Sequence, residues 1–490
     1  MATPIPTNRA RFSVDEIASA TRGSLVNRGV THEVVGLTTD SRAATTGAAF
    51  VALRGENSDG HAFVEAALGR AGLAVVERGR GAALFQGGDV AVARLRQASV
   101  VEVDDTLVAW GDLARAHLAK WRKNAVDPCV VAITGSAGKT TTKELTAALL
   151  AAIAPTHFTA GNLNNRIGVP AVVFALNDVH RFCVLEMGMS LPGELDAICS
   201  FAKPDVAVVT NVGVAHAEGV GGREGVMREK GAVYRALDES GVAVVNADDD
   251  FATRAASSTR GRVVTFGRAE TADYRLVARE PLADGGSRLS IAHERTLTIQ
   301  LPLPGEAAAI DLVAALAAQE AASAVELTAA QIESALATVQ LEGRSTLRKL
   351  DGDVLLLDDT YNANPQSMRA ALATLAEVAG ARRRVAVIGE MKELGALAEE
   401  EHTALGDAIA DAGVALAIGC GGLAALALGR AARRGVDVVP ARSTDDAARE
   451  ATARVRPGDA VLVKASRSVG AERVVETLQN AAKSAVLRTE

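Results

Sequence analysis

Residues 130–150 read VVAITGSAGKTTTKELTAALL and hold the residue types that bind phosphate. An apolar β-branched run leads into two glycines, a Lys-Thr pair and a helix-like tail. In that order, backbone N–H groups of the turn and of the helix start point at an anion. Gly135 and Gly138 let the backbone approach closely, with Ser136 and Ala137 between them. Lys139 supplies a point charge for the outer phosphates. Thr140 offers a hydroxyl to Mg²⁺, and Thr141 follows in the first helical turn. The spacing departs from the common G-x-x-x-x-G-K-[ST] pattern, because Ile133 stands where its first glycine belongs. A chance Gly-Lys-Thr in an ordinary strand–helix turn is the competing reading.

A nucleoside triphosphate also needs a hard cation held by oxygen ligands. VLEMGMS puts Glu186 at the C-terminal end of an apolar strand, where α/β sheets bind ligands. A carboxylate there is costly unless paired or metal-bound; a salt-bridged or capping Glu is the alternative. TNVGVAHAEGVGG carries His216 in a glycine-rich loop behind another strand end, although a lone His is more often structural. REKGAVY places Lys230 at the start of a helix, where a solvated surface lysine is the default. LLLDDTYNANPQSM gathers Asp358, Asp359, Tyr361, Asn362 and Asn364 behind a strand, denser than turn chemistry requires. IGEMKELG and LVKASRS follow two later strands, so all three loops converge on one end of one sheet.

Short β-branched runs alternate with Ala/Leu-rich helices and mark the elements that position these groups. CVVAI, FCVLE, DVAVVT and VAVVN form one set, and VLLLD, VAVIG, VALAIG and AVLVK a second. Near-continuous apolarity predicts strands buried on both faces of two parallel sheets. Between residues 266 and 303 the rhythm weakens, and YRLVARE and RTLTIQLPLPG read as antiparallel strands with a turn at residues 284–287. The first ~105 residues read as a small α/β module.

The chain has 490 residues, 48% of them apolar, enough for several cores. A net charge of −7 and 3% aromatics argue against nucleic acid as partner. Cys129, Cys183, Cys199 and Cys420 form no C-x-x-C pair and read as buried free thiols. Neither a signal-peptide core nor a membrane span is evident, which predicts a cytoplasmic protein.

Together these stretches resemble the Mur ligases, the ATP-dependent amide-forming enzymes of peptidoglycan assembly. The resemblance rests on TTDSR, FVALRGENSDGHAFVEAA, ITGSAGKTTTKE, GNLNNRIGVP, LEMGMSLPGEL, TNVGVAHAEGVGG, LDDTYNANPQSM, GEMKELG and VLVKASRSVGAERVV, in the expected order over nearly the whole chain. GNLNN…GVP with DDTYNANP points to the member that joins D-Ala-D-Ala to UDP-N-acetylmuramoyl-tripeptide. The implied fold is α/β in three domains: residues 1–105, a UDP-sugar module; 106–342, a P-loop ATPase-like parallel-sheet domain; and 343–490, a Rossmann-like domain closing over ATP and binding the dipeptide.

The resemblance implies roles residue by residue. Lys139 meets the β- and γ-phosphates. Thr140, Glu186, His216 and Lys230 serve two Mg²⁺ ions, with Lys230 carried as a CO₂-derived carbamate. Lys139, Lys230, His216 and Glu186 are the implied catalytic set. Asn246 and Asp248 lie at the nucleoside. Arg344 reaches the ATP phosphates, and Asp359, Tyr361 and Asn362 face ATP. Thr39, Asp40, Ser41, Arg42 and Arg54 hold the UDP end. Asn162, Asn164, Asn165, Asn364, Lys464 and Arg467 are further substrate candidates. A monomer is implied. A sibling ligase, a folylpolyglutamate-type ligase and an ATP-gated binding protein without ligase activity are the rivals.

Some residues depart from the family pattern. After LPLPG the family reads an arginine-like residue, then His-Asn, with another Asn nearby; here residues 306–311 are EAAAID. Arg166 stands for a common acidic residue, Ala232 for Glu, and Ala465 for Gly.

Overall fold

The computed structural model describes residues 3–55, 58–85, 95–214 and 217–483. Its central sheet has nine strands. From one edge they run Thr156–Phe158, Phe182–Glu186, Cys129–Thr134, Val206–Val209, Val242–Asn246, Arg262–Gly267 and Tyr274–Pro281, all parallel. Ser287–Ala292 and Thr296–Leu301 then add antiparallel strands. The strand Cys129–Thr134 is buried at every residue. Val130 and Ala132 join the core on one face, and Val131 and Ile133 the core on the other. Strand side chains alternate between faces, so a strand covered on both sides must be apolar throughout. Fully burying each Val or Ile contributes about 1.5–3 kcal/mol.

The second sheet has six strands, ordered Thr346–Leu350, Val354–Asp358, Ala460–Lys464, Arg384–Gly389, Leu416–Cys420 and Asp437–Ala441. The first pair is antiparallel and the rest parallel. Asp358 pairs with Val463 and Ile388 with Lys464, so the three loops expected to converge do leave from one end of the sheet. A five-stranded sheet and a two-stranded one form the N-terminal part. There the helix Thr106–Asn124 starts at an N-cap, Asp105, which accepts from Leu107 N and Val108 N at 2.7 and 2.9 Å. Its Trp110 meets Phe174 edge-on at 4.6 Å and donates to the Ile167 carbonyl at 3.0 Å. One core therefore runs from Phe12 through this helix into the central sheet.

All four cysteines are free and buried, as expected. Among the described residues no helix is long and apolar enough to cross a membrane. Two expectations are corrected. The strands Tyr274–Pro281 and Thr296–Leu301 do not pair with each other; both pair with Ser287–Ala292, into which the 284–287 turn leads. That middle strand, SRLSIA, is half polar and carries little apolar signal. Lys230 is the last residue of the helix Gly222–Lys230, not the start of one, and it is 1% exposed, not solvated.

Candidate active site

The strand Cys129–Thr134 lies between Phe182–Glu186 and Val206–Val209, and its C-terminal end opens into a cavity of about 920 Å³. Here the chain turns through residues 135–138 into the helix Lys139–Ala151. Gly135 and Gly138 have φ of 154° and 81°, which side chains rarely adopt. A Cβ at Gly135 would overlap Thr210, and one at Gly138 the carboxyl of Asp311. The loop is held from below by Asn211, which accepts from Ala137 N at 2.9 Å and donates to the Ala137 carbonyl at 3.0 Å. Ser136 Oγ accepts from Gly213 N at 2.8 Å. These bonds fix the loop before any anion arrives.

Thr140 Oγ1 donates to Glu186 Oε2 at 2.6 Å, and Asn164 Nδ2 donates to Glu186 Oε1 at 2.8 Å. Glu186 is 2% exposed. Burial pushes its pKa up, but the charges of Arg344, Lys139 and Lys143 outweigh it and hold the carboxyl below its ordinary range. An ionised carboxylate beside a hydroxyl is a hard oxygen set. Mg²⁺ needs only one or two such protein ligands beside substrate phosphates, so the pair fits that ion.

Lys139 stays partly open to the cavity, yet the dense protein around its ammonium lowers its pKa, with Glu186 opposing the shift. Its Nζ donates to the Gly135 carbonyl at 2.7 Å. Lys230 Nζ donates to the same oxygen at 2.9 Å. Burial, then the nearby charge of Lys139, pulls the Lys230 pKa well below the ordinary lysine value. His216 lies outside the described residues.

The six-stranded sheet faces this loop across the cavity. Asn364 caps the helix Pro365–Ala379 through Ser367 N at 2.8 Å, and its Nδ2 reaches the Ser136 carbonyl at 3.1 Å. Lys464, 2% exposed, binds Asp359 Oδ2 at 2.6 Å and the Asn362 carbonyl at 2.9 Å. The Arg344 guanidinium lies 3.8 Å from the Tyr361 ring centre, with Arg467 5.5 Å away on the same ring. Ser466 N donates to the Glu390 carbonyl at 3.1 Å, tying two of the three loops together. Ala465 is buried and is not among the positive-φ residues, so its Cβ is no backbone obstacle here.

The cavity thus gathers the phosphate-loop candidates from Ser136 to Thr141, Glu186, Lys230, Asn246, Asp248, the three asparagines 162, 164 and 165, and the C-terminal set from Arg344 to Arg467, while Gly135 lies behind its wall. Thr39, Asp40, Ser41, Arg42 and Arg54 do not line it. They follow the parallel strands Leu37–Thr38 and Ala49–Val51, where Asp40 accepts from Arg42 N and Nη2 at 2.9 and 2.8 Å. Arg54 lies 3.4 Å from Glu77. Asn165 Oδ1 accepts from the N–H of Gly168, the first residue of the helix Gly168–Phe174, at 2.8 Å. Sequence reasoning missed Asn211, Asp311 and Glu393. Asp311 accepts from Thr142 Oγ1 at 3.3 Å beside Gly138, and burial pushes its pKa to about 8. Glu393 lines the cavity at φ 64°, a strained backbone that points to a local constraint. Only the left-over Asx in EAAAID hinted at Asp311.

Three family models match the chain: Mur ligase family, catalytic domain, over residues 33–118; Mur ligase middle domain over 133–319; and Mur ligase, glutamate ligase domain, over 343–467. The chain is 36% identical over 406 residues to UDP-N-acetylmuramoyl-tripeptide–D-alanyl-D-alanine ligase of Escherichia coli, covering 82% of this chain and 84% of that one. It superposes on a crystal structure of MurF from Acinetobacter baumannii with a TM-score of 0.82 at 30% identity, covering 98% of this chain and 100% of that one. MurF ligase from Thermotoga maritima in complex with ADP matches at a TM-score of 0.78 and 28% identity, covering 92% and 98%.

Proposed function

The chain belongs to the Mur ligase family, and on that premise we propose that it joins D-alanyl-D-alanine to UDP-N-acetylmuramoyl-tripeptide, converting ATP to ADP and phosphate. The observation that carries this reading is one cavity in which the phosphate loop, the Thr140–Glu186–Asn164 chain and the Arg344–Tyr361 stack face one another.

A carboxylate is a poor acyl donor because its oxygen leaves badly. Attack of the tripeptide carboxylate on the γ-phosphorus expels ADP and forms an acyl phosphate. The dipeptide amine then attacks the acyl carbon, and the tetrahedral intermediate releases phosphate and leaves an amide. The protein must neutralise phosphate charge, align three substrates and exclude water. Backbone N–H groups of residues 138–140, at the start of the helix, cradle the phosphates, while those of Ser136 and Ala137 are held by Asn211. Lys139 turns its ammonium from the Gly135 carbonyl to the outer phosphates. Arg344, braced on Tyr361, brings a second positive charge from the opposite side. Glu186 and Thr140 would hold Mg²⁺, which would neutralise phosphate charge.

We assign a second ion to Lys230 and His216. A neutral amine attacks CO₂, forming an N–C bond and losing a proton, and the product is an anionic carbamate. The lowered pKa of Lys230 favours the neutral amine that this step needs. The N-terminal candidates 39–42 and Arg54 take the UDP end, and Asn162, Asn164 and Asn165 the tripeptide. The dipeptide meets Asn364, Lys464 and Arg467. Three domains at residues 1–105, 106–342 and 343–490 fit the sheets, with the third closing over ATP and the reaction placed in the cytoplasm.

The test is phosphate release from ATP in the presence of UDP-N-acetylmuramoyl-tripeptide, with and without D-Ala-D-Ala. Release that requires the dipeptide supports the reading, and release that ignores it overturns it.

A further inference from the structure

Residues 389–395, GEMKELG, form a loop at the end of the six-stranded sheet that is braced from two sides. On one side stands Ser466, 3% exposed. Its Oγ accepts from Lys392 N at 2.9 Å and donates to the Ala363 carbonyl at 3.4 Å, and its N–H donates to the Glu390 carbonyl. On the other side stands His402, on the helix Ala398–Asp411 and fully buried. Its Nε2 accepts from Met391 N at 2.9 Å, so the ring proton sits on Nδ1, which donates to the Ala398 carbonyl at 2.6 Å. Met391 and Leu394 anchor the loop in the core of the sheet.

Between those anchors Glu393 is held at φ 64°, so its side chain is aimed by the bracing and not by backbone preference. Of residues 389–395, all of them described, Glu393 alone lines the cavity, and it is exposed, which places it at the open side. The loop then runs into the turn Gly395–Leu397, which lies against the helix Ala217–Val220 on the chain leaving the strand Val206–Val209. Across the cavity, burial lowers the Lys139 pKa, and the charges of Glu186 and, more weakly, Glu393 oppose that shift. The Glu393 carboxylate therefore stands within electrostatic reach of the phosphate loop.

The α-amino group of a dipeptide is largely protonated at neutral pH, so D-alanyl-D-alanine enters as a zwitterion. The guanidinium of Arg467 suits its carboxylate; its ammonium needs an anion. On the side of the six-stranded sheet, the carboxylates lining the cavity are Asp359 and Glu393. Asp359 is paired with the buried ammonium of Lys464 at 2.6 Å and accepts from Ser345 N at 3.1 Å.

We propose that Glu393 receives the ammonium of the incoming dipeptide, and that His402 is the positioning residue that aims it. The inference rests on the ligase reading of the cavity. A hydrogen bond between charged groups of this kind changes affinity by about ten- to a hundredfold.

The experiment measures kcat/KM for D-Ala-D-Ala by phosphate release with the full-length enzyme, and the Kd of UDP-N-acetylmuramoyl-tripeptide and of ADP by calorimetry. In Glu393→Gln, kcat/KM for the dipeptide is expected to fall about ten- to a hundredfold, with both Kd values unchanged. An unchanged kcat/KM, or Kd values that weaken in step with it, overturns the proposal while leaving the ligase reading intact. Phosphate release by the parent that ignores the dipeptide overturns both. His402→Asn is expected to lower kcat/KM for the dipeptide likewise and to add nothing in the Glu393→Gln background. An unchanged value, or losses that add, would show that His402 does not aim Glu393.

Discussion

Lys139 and Lys230 donate to one and the same oxygen, the Gly135 carbonyl, at 2.7 and 2.9 Å. One carbonyl cannot offset the two ammonium charges that meet at it. The pressure falls on the more deeply buried amine, Lys230, whose pKa is pulled well below the ordinary value by burial and by Lys139. Both lysines line the cavity, and Lys139, the more exposed of the two, is the one placed to trade this carbonyl for phosphate.

Replacing Lys139 by Ala removes the charge that meets the outer phosphates. Turnover is expected to fall on the order of a hundred- to a thousandfold, with far-UV circular dichroism unchanged. Full turnover in the variant would remove the loop from the mechanism.

For Lys230 the prediction concerns CO₂. Enzyme prepared free of CO₂ and bicarbonate is expected to lose turnover and regain it on adding bicarbonate. Lys230→Met is expected to be inactive under both conditions. Equal turnover of the parent with and without bicarbonate speaks against the carbamate.

Asp311 gives a pH dependence. Its folded pKa, about 8, lies above the ordinary 3.8 because burial disfavours the anion. Between those values the folded chain binds more protons than the unfolded one, so this group's contribution falls as pH rises. The cost is absent below pH ~4 and complete above ~8. Asp311→Asn is therefore expected to match the parent at low pH and to exceed its stability by about 2–5 kcal/mol at pH 9. Denaturant titrations across that range check this; an advantage independent of pH would contradict it.

Arg279 links the antiparallel strands to the helix Pro365–Ala379 through Glu306 at 3.1 Å and Glu377 Oε1 at 2.9 Å, and its side chain is 8% exposed. Arg279→Ala leaves Glu377 unmatched, whereas Glu306 keeps its pair with Arg268. A loss of about 2 kcal/mol is expected, together with a larger scattering radius for the nucleotide-free enzyme. An unchanged radius would mean that other contacts hold the six-stranded sheet in place.

How far the sequence reveals this molecule depends on the distance between interacting residues. Gly135, Gly138, Lys139 and Thr140 are readable because loop and helix are local. Glu186 is readable because a carboxylate closing an apolar strand is conspicuous. The five-residue runs of both parallel sheets are readable because burial on two faces leaves no polar gaps. Lys230 is not, since its burial arises only when its helix packs against the phosphate loop from 95 positions away. Asp311 is hidden in the same way, 169 positions from its partner Thr142. The strands Thr156–Phe158, Ser287–Ala292 and Thr346–Leu350 escape notice because they are short or half exposed.

The central claim is that the tripeptide carboxylate becomes an acyl phosphate in this cavity. It is tested most directly with UDP-N-acetylmuramoyl-tripeptide labelled with ¹⁸O in its terminal carboxylate. Mass analysis of the phosphate formed on ligation to D-Ala-D-Ala reads the outcome. One labelled oxygen in each phosphate is predicted, because the attacking carboxylate oxygen leaves with phosphorus. Phosphate carrying no label would contradict the account.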